Sequence, residues 1–205
     1  MIKYTIKTSD SLDISTDCLV VGVYADRKLT PTATKVDQSS KGLIKNLLKR
    51  GDISGKPGQT LMIPCGTNLL AKRLLVVGLG HQNKLNADEF SEIVQSASNA
   101  IEDAGIATVV IALAEGSVSG RRVEERIRII VETFSGFCYQ FSRLKSNKAQ
   151  LRRAFPTTVI FPVANKQAAP RAREYVNEGK AISRGVELTR DLANLPGNIC
   201  TPSYL

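Results

Sequence analysis

Histidine is nearly missing from this 205-residue chain: His81 stands alone in a polar loop after Gly80, with no Ser, Cys or carboxylate constellation around it. That removes most imidazole chemistry, because a general base needs an oriented partner and a zinc site needs clustered donors. No H-E-x-x-H motif occurs, and Asp10, Asp13, Asp17 and Asp26 are scattered over loops and strand ends. Cysteine is sparse too. Cys18, Cys65, Cys138 and Cys200 lie far apart with no C-x-x-C pair, which argues against zinc and redox motifs and for small buried thiols kept reduced. The N-terminus MIKYTIKTSD has no apolar h-region, and no apolar run approaches the ~20 residues that span a bilayer. The expectation is a cytoplasmic chain with no membrane partner and, within its own borders, no catalytic residue, metal site or cofactor.

Acidic residues are missing from one stretch in particular. Between Arg143 and Arg173 stand Arg143, Lys145, Lys148, Arg152, Arg153, Lys166, Arg171 and Arg173, with no Asp or Glu among them. These are eight of the 28 basic residues; the remaining twenty nearly balance the 19 acidic ones, so the net charge of +9 is concentrated there. Such a stretch attracts polyanions through its field and through counterion release. It is either a solvated basic loop or a surface for double-stranded DNA. It has no aromatic stacking row, because Phe155 and Phe161 fit a strand core better, so no single-strand preference is expected.

What is present reads as an ordinary globular α/β chain, 42% hydrophobic and 23% charged. Ile2 to Lys7 alternates apolar and polar residues, as an edge strand does, whereas Asp17 to Tyr24 is apolar on both faces, as a central strand is. Thr34 to Arg50 has the spacing of one or two short helices ended by Gly51. Thr60 to Pro64 and Arg73 to Val77 read as two strands, paired as a hairpin across Gly66 to Leu70. Asn86 and Glu89 form a capping box before a helix with Phe90, Ile93, Val94, Ala97 and Ile101 on its apolar face, ended by Gly105. Ala107 to Ala114 is a further double-faced strand. A helix from about Arg121 then carries Val123, Ile127, Ile130, Val131, Phe134, Phe137, Cys138 and Phe141 on one side. Thr157 to Val163 is the last strand, with Pro162 placing it near an edge or a strand end. Pro170 suits the first turn of a final helix, on which Ile182, Val186, Thr189 and Leu192 with Ala193 share one face until Pro196-Gly197 breaks it. The alternation demands a mixed β-sheet with helices on both faces.

Two glycine motifs invite a nucleotide reading and fail it. Gly51-Asp52-Ile53-Ser54-Gly55-Lys56-Pro57 has three residues between its glycines where a P-loop has four, puts Pro57 where magnesium needs a hydroxyl, and runs from helix into strand. Gly78-Leu79-Gly80 has Asn83 in place of a third glycine.

Four segments in register carry a family resemblance: Cys18-Leu19-Val20-Val21-Gly22-Val23, Gly55-Lys56-Pro57-Gly58-Gln59-Thr60, Leu74-Leu75-Val76-Val77-Gly78-Leu79-Gly80, and the junction Arg190, Asp191, Leu192, Asn194, Pro196, Asn198, Thr201 and Pro202. Together they resemble the N-terminal domain of the bacterial cytosolic leucyl aminopeptidases, most nearly the enterobacterial type. The resemblance implies a macro-domain-like fold over 1–165, a linker helix over 166–195 and, from 196 to 205, the start of a C-terminal metallopeptidase domain. It implies a parent enzyme that removes N-terminal residues from peptides with two divalent metal ions, manganese or zinc, and that assembles as a homohexamer. The metal ligands and the family signature Asn-Thr-Asp-Ala-Glu-Gly-Arg are expected beyond Leu205, in that catalytic domain. The resemblance also admits a DNA-binding regulatory role, since enterobacterial relatives have one, and, through the likeness to macro domains, an ADP-ribose pocket. No macro-domain ligand motif accompanies it.

Overall fold

The computed structural model describes residues 2–66, 69–141 and 155–201. In chain order the elements are β1 (Lys3–Lys7), β2 (Thr16–Val23), α1 (Pro31–Ser39), α2 (Leu43–Arg50), β3 (Thr60–Pro64), β4 (Ala71–Gly78), α3 (Ala87–Asp103), β5 (Thr108–Ile111), α4 (Val123–Cys138), β6 (Thr158–Pro162) and α5 (Ala168–Asn194). They form a mixed sheet of order β1-β6-β5-β2-β4-β3, in which every neighbouring pair is parallel except β3 with β4.

The double-faced strands explain the layers. Cys18 and Val20, Leu75 and Val77, Val109 and Ile111, Val159 and Phe161 point to one face, where Phe90, Ile93, Phe134 and Val176 of α3, α4 and α5 close the core. Leu19, Val21, Leu74, Val76, Val110 and Ile160 point to the other and meet Ala33, Val36, Ile44 and Leu48 of α1 and α2. The period of two along each strand therefore sends alternate residues into two separate cores. Helices cover both faces, as the alternation of elements requires.

Local signals hold in detail. Asn86 Oδ1 accepts from the Glu89 amide at 2.9 Å while a Glu89 carboxylate oxygen accepts from the Asn86 amide at 3.0 Å, completing the box that starts α3. Gly105, just past its end, takes a φ of +62°, which costs a glycine little. Arg121–Glu125 at 3.7 Å and Arg128–Glu132 at 3.1 Å are the expected i to i+4 pairs, the second drawn into the contact with α5, where Arg128 also reaches Glu178 at 3.5 Å.

Two expectations need correction. The strand foreseen over Ala107 to Ala114 is only four residues of β5, because after the Ala112 amide bonds the Val20 carbonyl at 3.0 Å the chain coils into a 3-10 turn, Leu113–Glu115, that carries Glu115 across toward α1. On α4 the buried residues are Arg126, Ile127, Ile129, Ile130, Val131 and Phe134, while Val123 is 42% exposed, Phe137 and Cys138 are half-buried, and Phe141 lies past the end of the helix. Pro162 occupies the last position of β6, where it interrupts no ladder, although β6 itself is an interior strand.

Candidate functional site

The strand order turns between β5 and β2, and the chain leaves these two strands toward opposite faces, into α1 on one and α4 on the other. A crevice must open there, at the carboxyl ends of the parallel strands, which is where open α/β sheets bind ligands. The structure has a cleft of about 550 Å³ at that place, bordered by the loops after β1, β5 and β6 and by the first turns of α1, α4 and α5.

Each of those three helix N-termini already holds a side chain of this chain. One carboxylate oxygen of Glu115 accepts from the Thr32 amide at 2.7 Å and the other from the Thr32 hydroxyl at 2.7 Å, capping α1, whose own N-cap residue Thr30 turns its hydroxyl to the Gly22 carbonyl instead of the helix. Glu125 accepts from the Arg122 amide at 2.7 Å at the start of α4, and Asn165 from the Ala168 amide at 2.9 Å at the start of α5. One amide at each helix start is thus taken by an internal acceptor, and two of the three acceptors are carboxylates, whose charge opposes a phosphate. The ADP-ribose reading loses its anchor. Lys35 pairs with Asp10 at the rim and holds the Asp10 carboxyl below the usual range for aspartate.

The glycine motifs are packing devices. A Cβ on Gly78 would lie 2.0 Å from the Lys56 carbonyl oxygen, and one on Gly55, whose φ is +76°, 2.4 Å from that of Tyr24. Three backbone segments cross here, laced by Gly80 to Gly55 at 2.9 Å, Gly78 to Gln59 at 2.8 Å and Ala25 to Gly80 at 2.8 Å, each amide donating to a carbonyl. His81 is exposed in the turn that follows.

A second cavity, of about 520 Å³, lies between β1 and the carboxyl halves of α4 and α5. Tyr4 and Ser135 share a 2.8 Å hydrogen bond in it, and burial pushes the Tyr4 phenol up, with Ser135 opposing. Burial also pushes the Cys138 thiol up to about 12, so it is not a thiolate nucleophile at neutral pH. At its end the junction motif does structural duty. The Tyr139 hydroxyl donates to Asp191 at 2.8 Å, the Arg190 guanidinium sits 5.4 Å from the Tyr139 ring centre and donates to the Gly136 carbonyl at 3.0 Å, and Asn194 donates to the Arg190 carbonyl at 2.8 Å. Desolvation first, and the Asp191 carboxylate next, raise the Tyr139 phenol. This cluster fastens the end of α5 to the end of α4. Sequence reasoning missed Tyr139, which belongs to no motif; it meets Asp191 only because α4 and α5 run parallel on the same face.

The structure brings Arg190, Asp191 and Asn194 together and leaves the rest of the motif apart. Pro196 accepts at its carbonyl from the amides of Ile199 and Cys200 in an irregular turn, with Asn198 exposed and Thr201 at its end; Pro202 lies outside the described residues. Of the basic stretch, Arg143, Lys145, Lys148, Arg152 and Arg153 also lie outside them, while Lys166, Arg171 and Arg173 are exposed at and before the start of α5. Arg171 is bonded to Tyr175, which raises its pKa. Among the described residues no group of three or more His, Cys, Asp or Glu is placed to hold a metal, and no helix is long and apolar enough to cross a membrane.

One apolar face is left uncovered. α5 is buried against α4 through Ala169, Ala172, Val176, Gly179 and Ser183, but further along Ile182 is 44% exposed and Val186 43%, with Leu188, 61% exposed, on another side of the helix. Ile182 and Val186 begin the face foreseen from their spacing, and the described domain does not bury it.

Residues 20–148 match the model of the cytosol aminopeptidase family, N-terminal domain. A protein of Actinobacillus pleuropneumoniae serotype 3 named "Probable cytosol aminopeptidase" is 38% identical over 204 residues, covering 100% of this chain and 41% of that protein. One of the same name from Alkalilimnicola ehrlichii is 39% identical over 202 residues, covering 98% and 40%. The chain therefore spans about two fifths of the length of the curated relatives it matches. Among solved structures, a mutant tomato leucine aminopeptidase superposes with a TM-score of 0.76 at 20% identity, covering 99% of this chain and 40% of that one. The bottromycin maturation enzyme BotP in complex with Mn gives 0.65 at 22% identity, covering 92% and 34%. The two structures share the fold, and the family match extends over more than half of the sequence: the chain belongs to the cytosol aminopeptidase family, as its N-terminal domain.

Proposed function

We propose that this chain is the N-terminal accessory domain of a leucyl aminopeptidase that releases N-terminal amino acids from peptides in the cytoplasm as a homohexamer. The observation that carries the reading is the alignment of the whole chain with about two fifths of each of several aminopeptidases. In this reading the two divalent ions, manganese or zinc, are held by a C-terminal catalytic domain; when bound they would activate water and stabilise the tetrahedral oxyanion. This chain's part is mechanical. The residues from Arg190 to Asn194, fastened to Tyr139 and Gly136, fix where α5 ends and so the direction in which the chain enters the next domain over 196–205, with 1–165 as the body and 166–195 as the linker. The exposed Ile182 and Val186, one turn apart on α5, offer that domain an apolar seat. The enterobacterial affinity rests on the motif spacing alone; the relatives named above are from Actinobacillus and Alkalilimnicola.

The 205-residue chain should release no leucine from a chromogenic leucyl amide with manganese, magnesium or zinc, while a protein that joins it to a C-terminal catalytic domain of the family should do so. Metal-dependent turnover by the short chain, surviving removal of host peptidases, would place catalytic groups inside it and overturn the reading.

The charge count favours a second role, binding of double-stranded DNA through the basic stretch 143–173, of which Lys166, Arg171 and Arg173 are exposed. Binding would be weak, independent of base sequence and steeply salt-dependent. Replacing Arg152 and Arg153 together by Glu should lower duplex affinity at low salt and flatten the salt slope; an unchanged slope would leave the stretch a solvated surface.

A further inference from the structure

We propose that the cleft at the carboxyl ends of the parallel strands binds a small organic cation, a primary ammonium on a short aliphatic chain. This goes beyond the accessory role and does not depend on it. The cleft has the size of a small-molecule pocket, about 550 Å³. One wall is apolar: Ile127 of α4, Val163 after β6, Ala168 and Ala172 of α5, and Val123. Val123 is a large aliphatic residue in the first turn of α4 that stays 42% exposed, so this wall has surface left to cover.

The other end is acidic and already closed to anions. Glu115, Glu124 and Asp10 line it against one ammonium, Lys35, whose Nζ is bound to Asp10 at the rim with half its side chain in solvent. Arg171 of α5 feels the field of Glu124 but is bonded to Tyr175. A ligand phosphate or carboxylate would meet the Glu115 carboxylate on the Thr32 amide and the Glu124 carboxylate in the first turn of α4. A cation meets the opposite situation. A carboxylate has about four lone-pair sites, and Glu115 commits two of them to Thr32, so acceptors remain for an N–H donor. An ammonium head at Glu115 and Glu124 with an aliphatic tail along Val123 and Ala168 uses both ends of the cleft. A neutral ligand uses one.

The test is an amide-resolved NMR titration of the 205-residue protein with three probes that share a tail: isopentylamine, 3-methylbutan-1-ol and 3-methylbutanoate. With the amine, saturable shifts are expected around Ser9, Val123 to Ile127 and Val163 to Ala168, with roughly millimolar affinity for so few heavy atoms. The alcohol should bind at least about fivefold more weakly, and the carboxylate should give no saturable shift, from the loss or reversal of one charge contact. Glu124→Gln, which removes no cap, should weaken the amine about fivefold without lowering the melting temperature, and Val123→Lys, at an exposed position, should abolish saturation by supplying an internal ammonium. Equal binding of all three probes, tighter binding of the carboxylate, or no saturable shift with the amine would each overturn the proposal.

Discussion

Gly78→Ala should cost about 4 kcal/mol and lower the melting temperature by roughly 8–16 °C, the shift expected for a chain of this size. The added methyl would sit 2.0 Å from the Lys56 carbonyl oxygen and 2.8 Å from the Gly55 carbonyl carbon, and neither is the movable end of a side chain. To make room, the loop before β3 must retreat from the end of β4. That strains the bonds from Gly58 to Gly78 at 3.0 Å, Gly78 to Gln59 at 2.8 Å and Gly80 to Gly55 at 2.9 Å, in a region where Val77 and Leu79 are fully buried and water cannot easily replace them. Gly185→Ala is the control. Gly185 lies in the exposed half of α5 with open space around it, so its replacement should stabilise by up to about 1 kcal/mol through helix propensity. Thermal unfolding of the two variants beside the parent decides the matter. A Gly78→Ala midpoint within about 4 °C of the parent would mean the backbone crossing yields at little cost.

That pair of glycines also marks what the sequence can and cannot tell. The periodicities of β2, β4 and α3 are local properties, and each element stands where its pattern places it, because a strand with two apolar faces has no stable position except between two layers of helices. The glycine motifs were equally visible, and their mismatch with nucleotide loops was enough to discard that chemistry. Their actual purpose was not legible, since Gly78 matters only where the end of β4 crosses Lys56, and Gly55 only where its loop crosses Tyr24 after β2. The candidate sites follow the same division. Arg190, Asp191 and Asn194 stand out as a motif, whereas Tyr139, their common partner, is silent until α4 and α5 are set side by side. Glu115 is the strongest case. In the sequence it ends an apolar strand and resembles any loop carboxylate; in the fold it caps a helix 83 positions away along the chain.

Glu115→Ala should destabilise the protein by about 2 kcal/mol, the next largest effect after Gly78. Glu115 makes two short bonds to Thr32, whose side chain and amide are almost fully buried, and each is a hydrogen bond to a charged acceptor at the positive end of a helix. The Thr32 hydroxyl keeps Ser11 Oγ at 3.2 Å as a partner, so the amide is the donor left orphaned; in a dry core it would cost more than that, but here the cleft lies beside it, so water can reach Thr32 and return part of the loss. The same openness supplies a test that separates a cap from simple packing. Small carboxylates such as formate or acetate can enter the space vacated by the side chain and accept from Thr32, so they should raise the melting temperature of the alanine variant and leave that of the parent unchanged. Glu115→Gln should fall between the two, because an amide offers one carbonyl acceptor to two donors and turns its own N–H toward the other. Hydrogen exchange at the first turn of α1 should quicken more than in β4. If the alanine variant melts with the parent and ignores added formate, Glu115 is a bystander at the helix end, and α1 is held by its apolar contacts to β2 alone.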